Sequence, residues 1–286
     1  MKVVLLGAGG QLGRSVQELQ PEGVELISFT SAELDITNEL QITEKLDAAR
    51  PNVIINAAAY TQVDKAEEEP ELAFRVNALG PQLIAQWVAN NDSRLIHIST
   101  DFVFDGEKTT PYVETDKPNP VNVYGKSKLE GENNVLALIP DKAAVVRTSW
   151  LYSNHGANFM NTMLRLFEER DSLSIVDDQV GSPTTTSALA DVLWKLVGRA
   201  DINGLYHWSC EGEVSWFGFA EAIKDEAGVI RGLEANVELL AITSDQYSAL
   251  AVRPKYSVLS SSKLDALIAE PAIHWRELLI VELNNS

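Results

Sequence analysis

The sequence predicts an α/β fold: a doubly wound parallel sheet accompanied by a smaller mixed domain. The apolar strand Val3–Leu6 runs directly into glycines and then into a helical pattern, as at the start of a parallel sheet. Further apolar strands alternate with helical segments, and this alternation becomes irregular in the second half of the chain. We expect a first domain at 1–150 and a second, substrate-binding domain mainly at 151–286, with segments near 173–200 and 237–262 returning to the first.

Three evenly spaced glycines, Gly7, Gly10 and Gly13, follow the first strand. Glycine allows a tight turn, a close approach of the backbone to a pyrophosphate, and close packing of a helix on a strand. The N-terminus of the helix that follows attracts phosphate groups. The order strand, glycines, helix therefore predicts a Rossmann-like turn that binds a dinucleotide, rather than a plain connection.

The second strand, Glu25–Phe29, bears on the choice of cofactor. A carboxylate soon after this strand ordinarily binds the ribose 2′-hydroxyl of NAD. Hydroxyl side chains stand there instead: Ser28, Thr30 and Ser31. Arg14, just after the glycines, is available for a 2′-phosphate. The sequence therefore favours NADPH, or the use of both cofactors, over strict use of NADH.

Two more buried strands are expected to end at the same edge of the sheet, where open α/β sheets bind ligands. One ends in three alanines, and the residues expected beside the cofactor are Ala57, Ala58, Ala59, Tyr60 and Thr61. The other, Leu95–Thr100, delivers Ser99, Thr100 and Asp101. A hydroxyl there can donate a hydrogen bond to a substrate carbonyl, and the alternative is local capping of the backbone. Asp35 and Ile36 are expected to flank an adenine.

Tyr124 and Lys128 are four residues apart in a helical segment, so their side chains lie on one face, one turn from each other. A free tyrosine ionises near pH ~10, and a nearby cation favours its phenolate. We therefore expect a general acid whose pKa is lowered by Lys128, with an ordinary surface pair as the alternative. Chain order places the Thr100 hydroxyl, the phenol and the ammonium around one cleft.

Composition narrows the class of protein. The 41 acidic and 23 basic residues give a formal net charge of -18, which argues against nucleic acid or an anionic membrane as the main partner. Cys210 is the sole cysteine, so neither an intrachain disulfide nor a cysteine-based metal site is expected. The four histidines lack metal-ligand spacing. No apolar run approaches the ~20 residues of a membrane span, and no signal peptide is evident. We expect a cytoplasmic protein.

Longer motifs resemble those of a known family across essentially the whole chain. The glycine turn, 56–59, Ser99-Thr100 and Tyr124-x-x-x-Lys128 resemble the extended short-chain dehydrogenases/reductases. Further motifs resemble the dTDP-4-dehydrorhamnose reductases more narrowly, and they lie at 34–38, 63–67, 76–77, 99–106, 122–130, 147–150, 178–184 and 253–254.

The resemblance implies NAD(P)H-dependent reduction of the C4 ketone of dTDP-4-dehydro-L-rhamnose, giving dTDP-L-rhamnose for cell-surface polysaccharide. It implies a catalytic set of Thr100, Tyr124 and Lys128. It implies dinucleotide contacts from Gly7, Gly10, Gln11, Leu12, Gly13, Asp35, Ile36, 57–61, Asn77, Ser99, Tyr124 and Lys128. It implies substrate contacts from Val63, Thr100, Asp101, Phe102, Trp150 and Arg253, the last at the nucleotide diphosphate.

Three alternatives remain. Nucleotide-sugar 4,6-dehydratases resemble Thr-Asp-Glu at 100–102, and Phe102 argues strongly against that chemistry and moderately against C3/C5 epimerisation. A non-catalytic dinucleotide-binding subunit, similar to the methionine adenosyltransferase beta subunit, is the second. Reduction of another nucleotide 4-ketosugar is the third, because nothing in the sequence fixes the base or the sugar.

Some members of this family form dimers bridged by a magnesium ion that glutamates hold. Ser15 and Ser187 stand where two of those glutamates are expected. We therefore predict no metal and no such bridge, and the oligomeric state stays open.

Overall fold

The computed structural model describes residues 1–232 and 236–285. Its strands are β1 (Lys2–Leu6), β2 (Glu25–Phe29), β3 (Val53–Asn56), β4 (Arg94–Thr100), β5 (Ala143–Thr148), β6 (Leu151–Tyr152), β7 (Ser172–Val176), β8 (Val180–Gly181), β9 (Thr184–Thr185), β10 (Gly204–His207), β11 (Val214–Ser215) and β12 (Glu238–Ile242). Its α-helices are α1 (Gln11–Glu18), α2 (Glu39–Ala49), α3 (Val63–Glu68), α4 (Pro70–Phe74), α5 (Gly80–Ala89), α6 (Val123–Leu138), α7 (Phe159–Glu169), α8 (Thr186–Val197), α9 (Trp216–Arg231), α10 (Ser262–Ile268) and α11 (Trp275–Asn284).

A six-stranded parallel sheet forms the centre of the molecule, in the order β2-β1-β3-β4-β5-β10. Its inner strands are buried on both faces, as expected of a parallel sheet covered by helices. The strand order reverses between β1 and β3, so a crevice opens at their carboxyl ends. Gly7 follows β1 and Ala57 follows β3, and the fold therefore brings the glycine turn and the alanines together, as predicted.

Two apolar layers sandwich the sheet, because alternate residues of each strand point to opposite faces. Val3 and Leu5 of β1 pack with Leu193 of α8, and α1 lies beside α8 on this face. Val4 and Leu6 pack on the other face, with α2, α5 and α6. The doubly wound α/β architecture is confirmed.

The predicted bounds of β2 agree with the structure, but one strand lies elsewhere than expected. The apolar run at 173–176 was expected to return to the main sheet. Instead β7 pairs with β12 in a separate two-stranded sheet, and β10 takes the edge of the main sheet beside β5. The prediction for this strand was wrong because Ser172 and Ser174 are exposed, whereas a strand inside a parallel sheet is buried on both faces. The division near residue 150 stays a prediction.

No helix in residues 1–232 or 236–285 is long and apolar enough to cross a lipid bilayer.

Candidate active site

A cleft of about 690 Å³ opens at the carboxyl edge of the main sheet. Most of the residues predicted from the sequence line it: Gly10, Gln11, Leu12, Gly13, Arg14, Ala57, Ala59, Thr61, Val63, Ser99, Thr100, Asp101, Phe102, Tyr124, Lys128, Trp150 and Arg253. The cleft thus joins the glycine turn, the end of β4 and one face of α6. Its size is within the usual range for a small-molecule site.

The glycine turn forms a cradle whose shape depends on the absence of side chains. Gly7 has φ +86, and a methyl carbon built on it would lie 2.6 Å from the amide nitrogen of Ala58. A methyl carbon on Gly13 would lie 2.3 Å from the carbonyl oxygen of Gly7. Gly10 caps α1 without a side-chain hydrogen bond. The first N–H groups of α1 therefore point toward the cleft with no side-chain cap, an arrangement that fits the phosphates of a dinucleotide.

Asn77 and Tyr60 lie behind the cleft lining. Asn77 Oδ1 accepts a hydrogen bond from Tyr60 N at 2.8 Å, and Asn77 Nδ2 donates to Tyr60 O at 2.9 Å. The Tyr60 hydroxyl donates to Glu69 Oε2 at 2.9 Å. Asn77 belongs to a π-helical turn, Arg75–Leu79, that leads into α5. Asn77 therefore fixes the backbone after β3, and direct contact of either residue with a cofactor stays a prediction.

Four other predicted residues also lie outside the lining, and Gly7, which shapes the cradle from behind, is one of them. Ala58 N donates to Asn56 Oδ1 at 3.2 Å. Ile36 is buried in the core against the backbone of Gly80. Asp35 Oδ1 accepts from the backbone nitrogen and hydroxyl of Thr37, at 2.9 and 2.8 Å. Their predicted roles beside an adenine or the cofactor are untested.

Glu33, which follows the end of β2, is not among the residues predicted from the sequence. Its Oε2 accepts from both the backbone nitrogen and the hydroxyl of Thr30, each at 2.8 Å. Thr30 packs beside Gly9 of the cradle, and Arg14 lines the cleft next to Gly9. A carboxylate and a guanidinium therefore both stand near the place where a dinucleotide carries its 2′ substituent. The signal was the position of Glu33, about 20 residues beyond the glycines.

Tyr124 projects from the first turn of α6, where Asn122 caps the helix by accepting from Gly125 N at 2.7 Å. Its ring meets the ring of Phe102 edge to face, with centroids 5.7 Å apart. Burial raises the pKa of Tyr124 to about 12, against the opposing effect of a hydrogen bond with Thr100, and the Asp101 carboxylate adds to the rise. The sequence predicted the opposite direction, but burial prevails. Tyr124 therefore keeps its proton at neutral pH, as a proton donor must.

Lys128 lies one turn further along α6 and is buried. Its Nζ donates to the carbonyl oxygen of Ile98 at 2.6 Å, which ties the helix to β4. Burial lowers the pKa of the Lys128 ammonium to about 8, and the Glu132 carboxylate opposes that fall. Glu132 itself forms a buried ion pair with Arg147 of β5, with 2.6 Å between Oε2 and Nη2. The ammonium is therefore held in place in its charged form below about pH 8.

Asp101 is buried at the base of the cleft, where its Oδ1 accepts from the Thr100 hydroxyl at 3.0 Å. Burial raises the pKa of Asp101 to about 6, although hydrogen bonds with Ser257 and Thr100 oppose the rise. Because the pKa of the folded state lies above that of the unfolded state, the fold loses stability as the pH rises through about 4 to 6. The Asp101 carboxylate therefore binds the Thr100 hydroxyl in the cleft but lowers the free energy of unfolding at neutral pH.

Asp101→Asn is accordingly expected to raise the free energy of unfolding at neutral pH by about 1–3 kcal/mol, measured by urea denaturation. Asp105→Asn is the matched control of opposite sign. Burial acts to raise the pKa of Asp105, but hydrogen bonds from Glu107 N, Asn119 and Tyr112 outweigh it and lower the pKa. A variant Asp101→Asn that is less stable than the wild-type protein contradicts this account.

Two indole rings form a wall of the cleft. Trp150 and Trp216 stack with centroids 3.5 Å apart and planes 3° from parallel. Trp150 has φ 46, and a methyl carbon on Gly181 would lie 2.5 Å from its ring, so Gly181 has to be glycine there. Positive φ is strained for a bulky residue and often marks a functional position. The sequence indicated Trp150 by family resemblance but not Trp216, because the two are far apart in the chain.

The loop after β6 closes the cradle side of the cleft and was also missed. His155, Gly156, Ala157 and Asn158 line the cleft. Gln11 Oε1 accepts from Ser153 Oγ at 3.1 Å and from Asn158 Nδ2 at 2.9 Å. This loop thereby fixes the side chain of Gln11 at the start of α1. Its polar turn composition directly after a strand was the available signal.

Arg253 lines the cleft from the segment that precedes Pro254. Its Nη2 lies 2.6 Å from Asp64 Oδ2, in an ion pair that is partly exposed. A basic group is thus available in an acidic protein, as binding of an anionic substrate requires. Its contact with a diphosphate stays a prediction.

The two serines expected at the magnesium position have other partners. Ser15 Oγ and Thr186 Oγ1 are 2.6 Å apart, and Ser187 Oγ donates to Glu282 Oε1 at 2.7 Å. Across the residues the structure describes, no group of three or more histidine, cysteine or acidic side chains is arranged to hold a metal ion. Whether copies of the chain associate is untested.

Comparison with known proteins gives consistent matches over the full length. The family model described as RmlD substrate binding domain matches residues 1–285. A dTDP-4-dehydrorhamnose reductase from Aggregatibacter actinomycetemcomitans is 44% identical over 97% of each chain.

Solved structures give the same result. A dTDP-4-dehydrorhamnose reductase from Clostridium acetobutylicum is 41% identical, with a TM-score of 0.93 over 100% of this chain and 99% of that one. One from Bacillus anthracis, solved in complex with NADP, is 39% identical with a TM-score of 0.94 and the same coverage. The chain belongs to the dTDP-4-dehydrorhamnose reductase family.

Proposed function

We propose that this chain reduces the C4 ketone of dTDP-4-dehydro-L-rhamnose to the alcohol of dTDP-L-rhamnose, with NADPH as the preferred hydride donor. The observation that carries the proposal is the meeting of Thr100, Tyr124 and Lys128 in one cleft with an uncapped glycine cradle. The names of close relatives support the substrate. Phe102 supports reduction over dehydration, because it supplies no acid at the third position of the Thr-Asp-Phe turn.

Each residue has a role that follows from its surroundings. The dihydronicotinamide, when bound, supplies the hydride. Negative charge then develops on the ketone oxygen, and protonated Tyr124 transfers its phenolic proton to that oxygen as general acid. The Thr100 hydroxyl, beside Tyr124, donates its one proton to Asp101 Oδ1 before the substrate binds, and turning that proton to the ketone oxygen would polarise the carbonyl. Lys128 stabilises the phenolate that Tyr124 becomes, through its positive charge.

The surrounding side chains orient the sugar and exclude water. Phe102 packs against the edge of Tyr124, and Trp150 with Trp216 forms the apolar wall. Before the substrate binds, Asp101 Oδ1 accepts the Thr100 hydroxyl proton at 3.0 Å, which keeps the hydroxyl oxygen at the site. With these groups fixed, the ketone meets a preorganised pair of oxygen atoms.

Preference for NADPH follows from Arg14, which lines the cleft beside Gly9. A guanidinium suits a 2′-phosphate, whereas the Glu33 carboxylate near Thr30 suits a free 2′-hydroxyl. We infer that NADPH is preferred and NADH is accepted. The product would serve cell-surface polysaccharide, in agreement with the family resemblance.

The test is an assay of cofactor oxidation with a panel of nucleotide 4-ketosugars, each offered with NADPH and with NADH. We expect the highest kcat/KM for dTDP-4-dehydro-L-rhamnose with NADPH. Higher kcat/KM with a different dTDP 4-ketosugar would show that the proposed substrate is wrong. Binding of NADPH without oxidation of it with any ketosugar would favour a regulatory subunit instead.

The pH dependence of the reaction tests the charge on Lys128. Because burial lowers the pKa of Lys128 to about 8, kcat/KM is expected to fall as the pH rises through about 8, when the ammonium loses its proton. Lys128→Arg keeps a positive charge at all these pH values. The kcat/KM of this variant should show no such decrease at alkaline pH. If the decrease is unchanged, it comes from the titration of a group other than Lys128.

A further inference from the structure

We propose that Asp64 is a positioning residue for Arg253: it turns the guanidinium so that two N–H groups, on Nε and Nη2, face the cleft and bind the substrate diphosphate. The inference rests on the proposed function, because it requires a nucleotide-diphosphate ligand. Asp64 lies in the first turn of α3, next to Val63, which lines the cleft.

The hydrogen bonds of the guanidinium leave one edge open. Arg253 Nη2 donates to Asp64 Oδ2 at 2.6 Å, and Nη1 donates to Asp64 Oδ1 at 3.2 Å. Nη1 also donates to the carbonyl oxygen of Ala251 at 3.2 Å. Among the described residues, the Nε hydrogen and the second Nη2 hydrogen have no acceptor. These two parallel N–H groups match a pair of phosphate oxygens.

Asp64 fixes the backbone that carries Arg253 as well as its side chain. Asp64 Oδ1 accepts from Leu250 N at 3.1 Å and from Ala251 N at 3.0 Å. Asn122, the cap of α6, donates through Nδ2 to the carbonyl oxygen of Val252 at 2.8 Å. The segment 250–253 is therefore attached both to α3 and to the helix that carries Tyr124. The position of Arg253, which would bind the diphosphate, is thus fixed relative to the helix of the proton donor Tyr124.

Two effects of Asp64 on an anion oppose each other. Its carboxylate repels a diphosphate, but the Asp64 side chain is 42% exposed, so solvent and salt weaken that repulsion. Its hydrogen bonds to the segment order four residues before the ligand arrives, which removes the entropic cost of ordering them on binding. We expect the ordering effect to be the larger. The sign of the change on removal of the charge decides between the two.

The experiment measures dTDP and thymidine binding by calorimetry, with NADP⁺ present, for the wild-type protein, Asp64→Asn and Glu68→Gln. Glu68 lies exposed on the same helix, so Glu68→Gln removes an equal charge without touching the segment. For Asp64→Asn we expect dTDP to bind roughly ten-fold more weakly and thymidine to bind as in the wild-type protein. For Glu68→Gln we expect no weakening. Unchanged or tighter dTDP binding by Asp64→Asn, or an equal loss for thymidine, would overturn the proposal.

Two further measurements separate positioning from misfolding and from the proposed function. Amide hydrogen exchange should quicken at Leu250 and Ala251 in Asp64→Ala, which removes the Oδ1 acceptor of both amides, with unchanged exchange in the main sheet. Arg253→Lys should lose dTDP affinity to a similar degree, because an ammonium cannot present the paired donors; wild-type affinity in that variant would overturn the proposal. A wild-type protein that binds dTDP but reduces no ketosugar would refute the proposed function and leave the positioning role standing.

Discussion

Tyr124→Phe is expected to lower kcat roughly a thousand-fold while leaving the Kd for NADPH nearly unchanged. The change removes one hydroxyl and keeps the ring, so the edge-to-face contact with Phe102 at 5.7 Å survives. What is lost is the phenolic proton that the ketone oxygen receives; the raised pKa of Tyr124 leaves the phenol protonated at neutral pH, as an ordinary tyrosine is. Steady-state kinetics measures kcat, and fluorescence titration with NADPH measures the Kd.

Thr100→Val is the companion variant, because it removes the hydroxyl that contacts the phenol but leaves the phenolic proton in place. We expect a smaller loss of kcat than for Tyr124→Phe. Near-normal turnover by Tyr124→Phe would remove Tyr124 from the role of general acid. A large loss of NADPH affinity in the same variant would assign it mainly to cofactor binding.

Gly13→Ala is expected to weaken dinucleotide binding about a hundred-fold, the second large effect. Alanine in place of glycine within a helix ordinarily stabilises it by about 0.5–1 kcal/mol. Here the added methyl carbon would lie 2.3 Å from Gly7 O and 2.8 Å from Ala8 Cα. Both are backbone atoms, so the cradle itself has to move, and its N–H groups move with it. Titration with NADPH measures the effect.

Gly9→Ala is the matched control within the same turn. A methyl carbon there would meet only Thr30 Cγ2, at 3.6 Å, which is an ordinary contact. We expect Gly9→Ala to bind NADPH within a few-fold of the wild-type protein. If the two variants lose affinity equally, added bulk in the cleft, and not displacement of the cradle, explains the loss. Unimpaired binding by Gly13→Ala would contradict the close-packing account.

Much of the fold could be predicted from the sequence because its signals are local. Each of three patterns predicts the structure at its own position in the chain: the apolar residues of β1, the glycines after it and the alanines after β3. Strand β7 could not be placed in the same way. Its apolar residues are compatible with several partners, and the choice of β12 depends on contacts across the chain.

The candidate site could be predicted to the same extent and for the same reason. Tyr124 and Lys128 share a helix, and Thr100 ends a strand, so pattern alone brings them to one edge. The direction of the Tyr124 pKa was predicted wrongly, since burial is a property of the packed molecule. The stack of Trp150 on Trp216 and the pairing of Asp64 with Arg253 join distant parts of the chain, and no periodicity signals such contacts.

The most direct test of the central claim is reduction with NADPH that carries deuterium at the transferable C4 position of the nicotinamide. With dTDP-4-dehydro-L-rhamnose as substrate, we predict a dTDP-L-rhamnose that carries deuterium at C4 of the sugar, detected by NMR. A product without deuterium at that carbon, or no product from protein that binds NADPH, would contradict the claim.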